Sequence, residues 1–210
     1  MSRRMRTFQR PLGERRYKKL FLISVEGSKT EPHYFAIFNQ LQSIVLVKCL
    51  RRPSTESSPR QVLKKMKGHL RKESLRRTDE AWIVVDRDDW AEDHLREILQ
   101  WTKKSINYGF ALSNPHFDYW LLLHFEDGKG IANSHECLVR LKRHLPNYKK
   151  DLDSKKITPE LVAKAISRAK QRDVNRINDL SPLWSTTVYK LVERILDTTQ
   201  TWASPLTNSV

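Results

Sequence analysis

The sequence predicts an α/β fold: a mostly parallel sheet of about four strands, helices on both faces, and a helical C-terminal extension. Three observations carry this. Apolar segments of strand length alternate four times with segments of helical periodicity. The strand segments, "LFLISV", "SIVLVKCL", "AWIVVD" and "YGFALS", are nearly continuous in hydrophobicity, as expected of strands covered on both faces. Beyond "EDGKG" (126–130) only helical patterning remains.

In chain order, residues 1–18 read as a flexible basic arm, with Arg15 and Arg16 among its cations and Pro11 and Gly13 interrupting it. A first strand at 20–25 leads to a helix over 32–42, in which Tyr34, Phe35, Phe38 and Leu41 recur at helical spacing. A strand over 43–50 and a polar loop over 51–59 follow. Residues 60–77 then form an amphipathic helix. Its buried apolar stripe is Val62, Leu63, Met66 and Leu70, and Lys64, Lys65, Lys67, Arg71, Lys72, Arg76 and Arg77 supply a basic outer face. The third strand (81–89) ends in acids. Helix 90–104 carries Leu95, Ile98, Leu99 and Trp101; strand 108–113 and helix 115–125 come next, and later helices fall at 134–145, 158–176 and 184–199. The predicted organisation is an α/β core over 19–130, a helical part packed on it over 131–200, and a tail over 201–210.

The chain has 39 Lys and Arg against 24 Asp and Glu, a net charge of +15 in 210 residues. Such an excess attracts polyanions, and nucleic acid is the commonest in a cell. The expected contacts are Arg60, Lys64, Lys67 and Arg71 on helix 60–77, with Arg15 and Arg16 on the arm. No apolar run approaches the roughly 20 residues of a membrane span, and the segment after the arm is too short for a secretory leader. Cys49 and Cys137 in apolar settings point to buried thiols and a cytoplasmic location.

Open parallel sheets bind ligands beyond the carboxyl ends of their strands. Here those ends carry Glu26 and, sixty residues on, Asp86-Arg87-Asp88-Asp89. Residues two apart on a strand share a face, so Asp86 and Asp88 turn together toward Glu26 while Arg87 turns away. Three gathered carboxylates suit Mg²⁺ or Mn²⁺, hard cations that prefer oxygen. Gly27 lets the backbone turn and a phosphate approach. Thr30 is placed to cap the next helix, with Glu31 in its first turn. Asp89 is the expected cap of helix 90–104. Lys29 either steadies a phosphate or stands in solvent. Ser113 or Asn114 is positioned to cap helix 115–125, with Pro115 in its first turn and Asp118 near the positive end of its dipole. His124, amid Trp120 and leucines, reads as a core histidine; neither His33 nor His116 has metal-pair spacing.

"VEGSKTEPHYF" followed by "VVDRDDW" resembles a Toprim domain, whose signature is a glutamate after the first strand and a D-x-D after a later one. "SNPHFDYWLLLHFE" (113–126) and "STTVYKLVERIL" (185–196) resemble the RloB family, small Toprim-like proteins found beside restriction–modification and phage-resistance genes. The likeness implies a Toprim/Rossmann-like fold and metal-dependent cleavage of nucleic acid, DNA or RNA, with Glu26, Asp86 and Asp88 as ligands. It adds Glu31 and Asp118 as further metal ligands, and a separate ATPase chain as partner; an oligomer is compatible with it. Two alternatives stand beside it: a non-catalytic nucleic-acid-binding or adaptor module with a vestigial site, and nucleotidyl transfer at the same site.

Overall fold

The computed structural model describes residues 19–41, 44–50, 58–87, 90–149, 152–173 and 182–203. The predicted arm with Arg15 and Arg16, the acids Asp88 and Asp89, and residues 204–210 of the tail lie outside them. Five strands form a sheet in the order β2-β1-β3-β4-β5. Strands β1 (Lys19–Val25), β2 (Val45–Leu50), β3 (Glu80–Asp86) and β4 (Tyr108–Asn114) run parallel, and β5 (Ser185–Thr186) pairs antiparallel to β4.

The crossovers are α1 (Thr30–Leu41) from β1 to β2, α2 (Pro59–Leu70) from β2 to β3, and α3 (Glu92–Thr102) from β3 to β4. The first crossover steps outward from β1, and the second returns past it to β3. Because parallel crossovers are right-handed, this reversal puts α1 on one face and α2 and α3 on the other. The Rossmann-like arrangement therefore has its topological switch point between β1 and β3.

Period-two alternation sorts the core. Phe21, Ile23, Val25, Trp82, Val84 and Ala111 face α1 together with α4 (Phe117–Leu122), α5 (Ser134–His144), α6 (Pro159–Asp173) and α7 (Val188–Ala203). Leu22, Ala81, Ile83, Val85 and Leu112 face Val62, Leu63 and Met66 of α2 and Leu95, Ile98 and Trp101 of α3. Both sides being apolar explains the non-alternating strand sequences. The edge strand β2 is covered by one side chain: Asn39 accepts from the Val47 N–H at 2.7 Å and donates to the Val47 carbonyl at 2.8 Å.

Several predicted boundaries move, each for a physical reason. Helix 60–77 starts a residue earlier, where Ser58 accepts from the Gln61 N–H and Pro59 opens the first turn, and it ends at Leu70 with Arg71 at the C-cap. Arg76 and Arg77 thus lie beyond it. Ser113 and Asn114 do not cap α4: both are still paired in the sheet, with Thr186 and Ser185. The Asn114–Pro115 bond is cis, and α4 begins only at Phe117, with His116 at the N-cap. Helix α3 begins at Glu92 with Ala91 at the N-cap, not behind an Asp89 cap. Residues 185–186, predicted helical, form β5 instead, held by a 2.9 Å bond between Ser113 Oγ and Thr186 Oγ1 and by the Leu112 N–H donating to Thr187 Oγ1. No described helix is long and apolar enough to cross a membrane.

Candidate active site

Glu26 and Asp86 stand at the carboxyl ends of adjacent strands, β1 and β3, at the switch point. The Asp86 backbone N–H donates to Glu26 Oε2 at 3.3 Å. Asp86 Oδ1 in turn accepts from the backbone N–H of Phe117 at 2.8 Å, which ties the end of β3 to the start of α4. Asp118 follows directly. The Glu26, Asp86 and Asp118 part of the expected constellation is thus brought to one edge of the sheet.

Glu31 joins it from α1. Its Oε1 accepts from the Gly27 N–H at 2.9 Å, and a β-carbon on residue 27 would fall on the Glu31 carboxylate. The missing side chain of Gly27 is therefore needed to seat Glu31. Helix α1 already includes Thr30, and the His33 N–H closes the first turn on the Lys29 carbonyl. The Thr30 hydroxyl lies 3.4 Å from that of Tyr148.

Tyr148 links these acids. Its hydroxyl donates to Asp118 Oδ1 at 2.6 Å. Burial raises its pKa well above that of an ordinary tyrosine, and the charges of Asp118 and Glu31 add to the shift. The two carboxylates thus act on the same buried phenol. Glu26, Glu31 and Asp118 are 8%, 6% and 8% exposed, so their negative charge is concentrated where water screens it little.

A compensating cation reaches the same edge from α2. The Lys65 ammonium donates to the carbonyls of Leu50 at 3.0 Å and Val25 at 3.4 Å, so it turns inward and does not belong to the basic outer face. Cys49, beside this edge, has its thiol pushed up to about 12 by burial and by the Glu31 charge, with Lys65 opposing. The Arg87 guanidinium hydrogen-bonds the Trp90 carbonyl. Lys29 is exposed in the turn between Glu26 and α1. His33 is exposed, and His116 pairs with Ser134 Oγ at 2.9 Å. His124 is fully buried between Tyr34 and the Trp120 carbonyl. Among the described residues no group of three or more His, Cys, Asp or Glu forms a metal cage. The expected contacts Arg60, Lys64, Lys67 and Arg71 are exposed along α2, Arg60 paired with Glu97 at 2.7 Å.

Neither Tyr148 nor the inward role of Lys65 is marked in the sequence. Tyr148 sits in an irregular segment after α5, where no periodicity marks a buried position. Lys65 gives no sign of its direction, since a long aliphatic stem can carry its ammonium either way.

A Rossmann-like α/β sheet with acids gathered at its switch point defines a class of ligand-binding edge common to many enzymes. Within that class the chain belongs to the family described as RloB-like protein, whose model matches residues 21–195. No curated protein and no solved structure matches it.

Proposed function

We infer that this chain hydrolyses phosphodiester bonds of nucleic acid with Mg²⁺ or Mn²⁺. The observation that carries this reading is the Glu26–Asp86 pair at the switch point, with Glu31 and Asp118 beside it. The donor set fits such an ion. It is all carboxylate oxygen, and Mg²⁺ is commonly held by one or two carboxylates with waters and substrate phosphates completing the shell, so no protein cage is required. Glu26 and Asp86 would hold the ion, with Asp88, outside the described residues, completing the D-x-D. When bound, the ion supplies activation of water and neutralisation of charge on the phosphate.

The chain's own groups do the rest. The Asp86 and Phe117 N–H groups orient the Glu26 and Asp86 carboxylates, and Gly27 and Tyr148 hold those of Glu31 and Asp118. Lys29, at the exposed rim, is placed to meet a phosphate entering from solvent. The net charge of +15 draws the polyanion in. The Toprim resemblance of "VEG" and "VVDRD" supports the same chemistry, and the company that RloB-like proteins keep supports a role in phage resistance with a separate ATPase chain.

The test is a panel of DNA and RNA substrates with Mg²⁺ or Mn²⁺, using wild type, Glu26→Gln and Asp86→Asn. Cleavage by the wild type alone, with all three proteins folded, is the expected result. Undiminished cleavage by both variants removes the assignment. A wild type that binds nucleic acid but never cuts, even with Mn²⁺ and the ATPase partner present, leaves a binding module.

A further inference from the structure

On the face opposite α1, a groove of about 580 Å³ runs between α2 and α3. Its floor is apolar: the partly exposed Leu70 and Tyr108 ring, backed by the buried Leu63 and by Trp101, which is 3% exposed and whose ring stacks on Tyr108 with centroids 4.3 Å apart and planes 11° apart. Its rim is cationic. Lys64, Lys67, Arg71 and Lys104 are exposed and form no ion pair among the described residues, while the one carboxylate there, Glu97, is taken by Arg60.

We propose that this groove binds single-stranded nucleic acid, seating an unpaired base on the apolar floor while the rim holds its phosphates. A surface that only tracks phosphates has no use for a recessed apolar floor. A duplex keeps its bases paired and stacked, and would leave the floor empty. An acidic polypeptide matches the rim but brings a planar ring only at its occasional aromatic residues, whereas a single strand brings one beside every phosphate. A nucleotide with its base exposed offers both, and aromatic floors with basic edges are how single strands are held without regard to sequence. The stripe from Arg60 to Arg71 spans about 16 Å of helix, enough for more than one phosphate.

The groove also leads toward the acids. Ser24, next to the end of β1, donates to the Val62 carbonyl of α2 at 2.9 Å, and Lys65 of the same helix reaches the Val25 carbonyl next to Glu26. A strand lying along α2 would therefore arrive at the carboxyl edge of the sheet. The proposal names the substrate form of the inferred hydrolysis and rests on that reading for its choice of polymer.

The experiment measures binding in EDTA, where nothing is cut, by fluorescence anisotropy with the full chain. The probes are a labelled oligothymidylate, the same strand with abasic residues throughout, and a duplex of equal length. The intact strand is expected to bind at least about 5-fold more tightly than the abasic one. In Lys67→Glu/Lys104→Glu, both exposed positions outside the candidate active site, that preference is expected to vanish. The salt dependence should also become shallower, by about 0.7 in log–log slope for each phosphate that the variant no longer neutralises. Equal binding of intact and abasic strands overturns the proposal, as does a preference that survives the charge reversal. Failure to bind any of the probes also overturns it, and leaves the groove to an acidic polypeptide. Cleavage in Mn²⁺, scored separately, keeps the two readings apart: a base preference without cleavage sinks hydrolysis alone, and cleavage without a base preference sinks the groove alone.

Discussion

The Tyr148 hydroxyl donates to Asp118 Oδ1 at 2.6 Å, with both residues buried. This bond joins a segment beyond α5 to the acids at the sheet edge. Partners that orient a ligating carboxylate commonly contribute about 10- to 100-fold in metal affinity or activity. Tyr148→Phe removes the donor and little volume. It is expected to lower metal-dependent cleavage by that factor, to raise the Mn²⁺ concentration needed for half-maximal rate, and to cost about 1–3 kcal/mol of stability. An unchanged Mn²⁺ titration alongside a lowered melting temperature would show Tyr148 to be purely structural.

Gly27 and Glu31 should behave as one unit. The three atoms nearest a β-carbon at residue 27 all belong to the Glu31 carboxylate, the far end of a flexible side chain, so Gly27→Ala is expected to fold by pushing that carboxylate out of its bond to the residue 27 N–H. Activity should then fall about as far as in Glu31→Ala. The double variant should be no worse than Glu31→Ala alone, since residues that share one interaction are non-additive. Additive losses in this cycle would separate the two residues.

The sheet was legible because its signals are local. "LFLISV" and "AWIVVD" are continuous because β1 and β3 are covered on both faces, and Glu26 and Asp86 follow from where those strands stop. What escaped depends on partners distant in sequence. Nothing near Ser185 and Thr186 marks a strand; they form one because β4 offers Ser113 and Asn114 as partners. The same pairing removes Ser113 and Asn114 as caps and delays the start of α4 to Phe117. Gly27 was legible as a special position but not for its reason, because the group that fills its space arrives from α1. Asp88, Arg15 and Arg16 lie outside the described residues.

At the opposite end of β3, Glu80 accepts from Arg194 at 2.6 Å, Lys19 at 2.7 Å and Trp82 Nε1 at 2.9 Å. Burial alone would raise its carboxyl, but these three donors and the Lys19 charge outweigh it and hold the pKa below the ordinary 4.5. A depressed folded value means the contribution is complete above pH 4.5 and is lost as pH falls through the folded pKa. Glu80→Gln should cost about 1.5–3 kcal/mol near neutrality, toward the low end because Arg194 is half exposed. In urea unfolding at a series of pH values, the gap between wild type and variant should close below pH 4.5. A gap that stays constant into acid would mean that the charge of Glu80 contributes nothing.

His124 should set a second and higher acid window. A carbonyl can only accept, so His124 Nδ1–H donates to Trp120 O at 3.0 Å, and Nε2 accepts from the Tyr34 hydroxyl at 3.2 Å. This is the neutral ring, and burial pushes its pKa down from 6.5 to about 4. The unfolded chain takes up the proton first, so the stabilisation is complete above pH 6.5 and is lost as pH falls toward 4. The loss should amount to about 3 kcal/mol, at 1.36 kcal/mol per pH unit. His124→Gln keeps a polar side chain of similar reach without the titration. It is expected to be less stable than wild type at pH 8, yet to show a nearly flat stability between pH 6.5 and about 4.5, above the window assigned to Glu80. Unfolding midpoints of both proteins across that range decide the matter, and a variant that declines as steeply as wild type would move the acid sensitivity to another group.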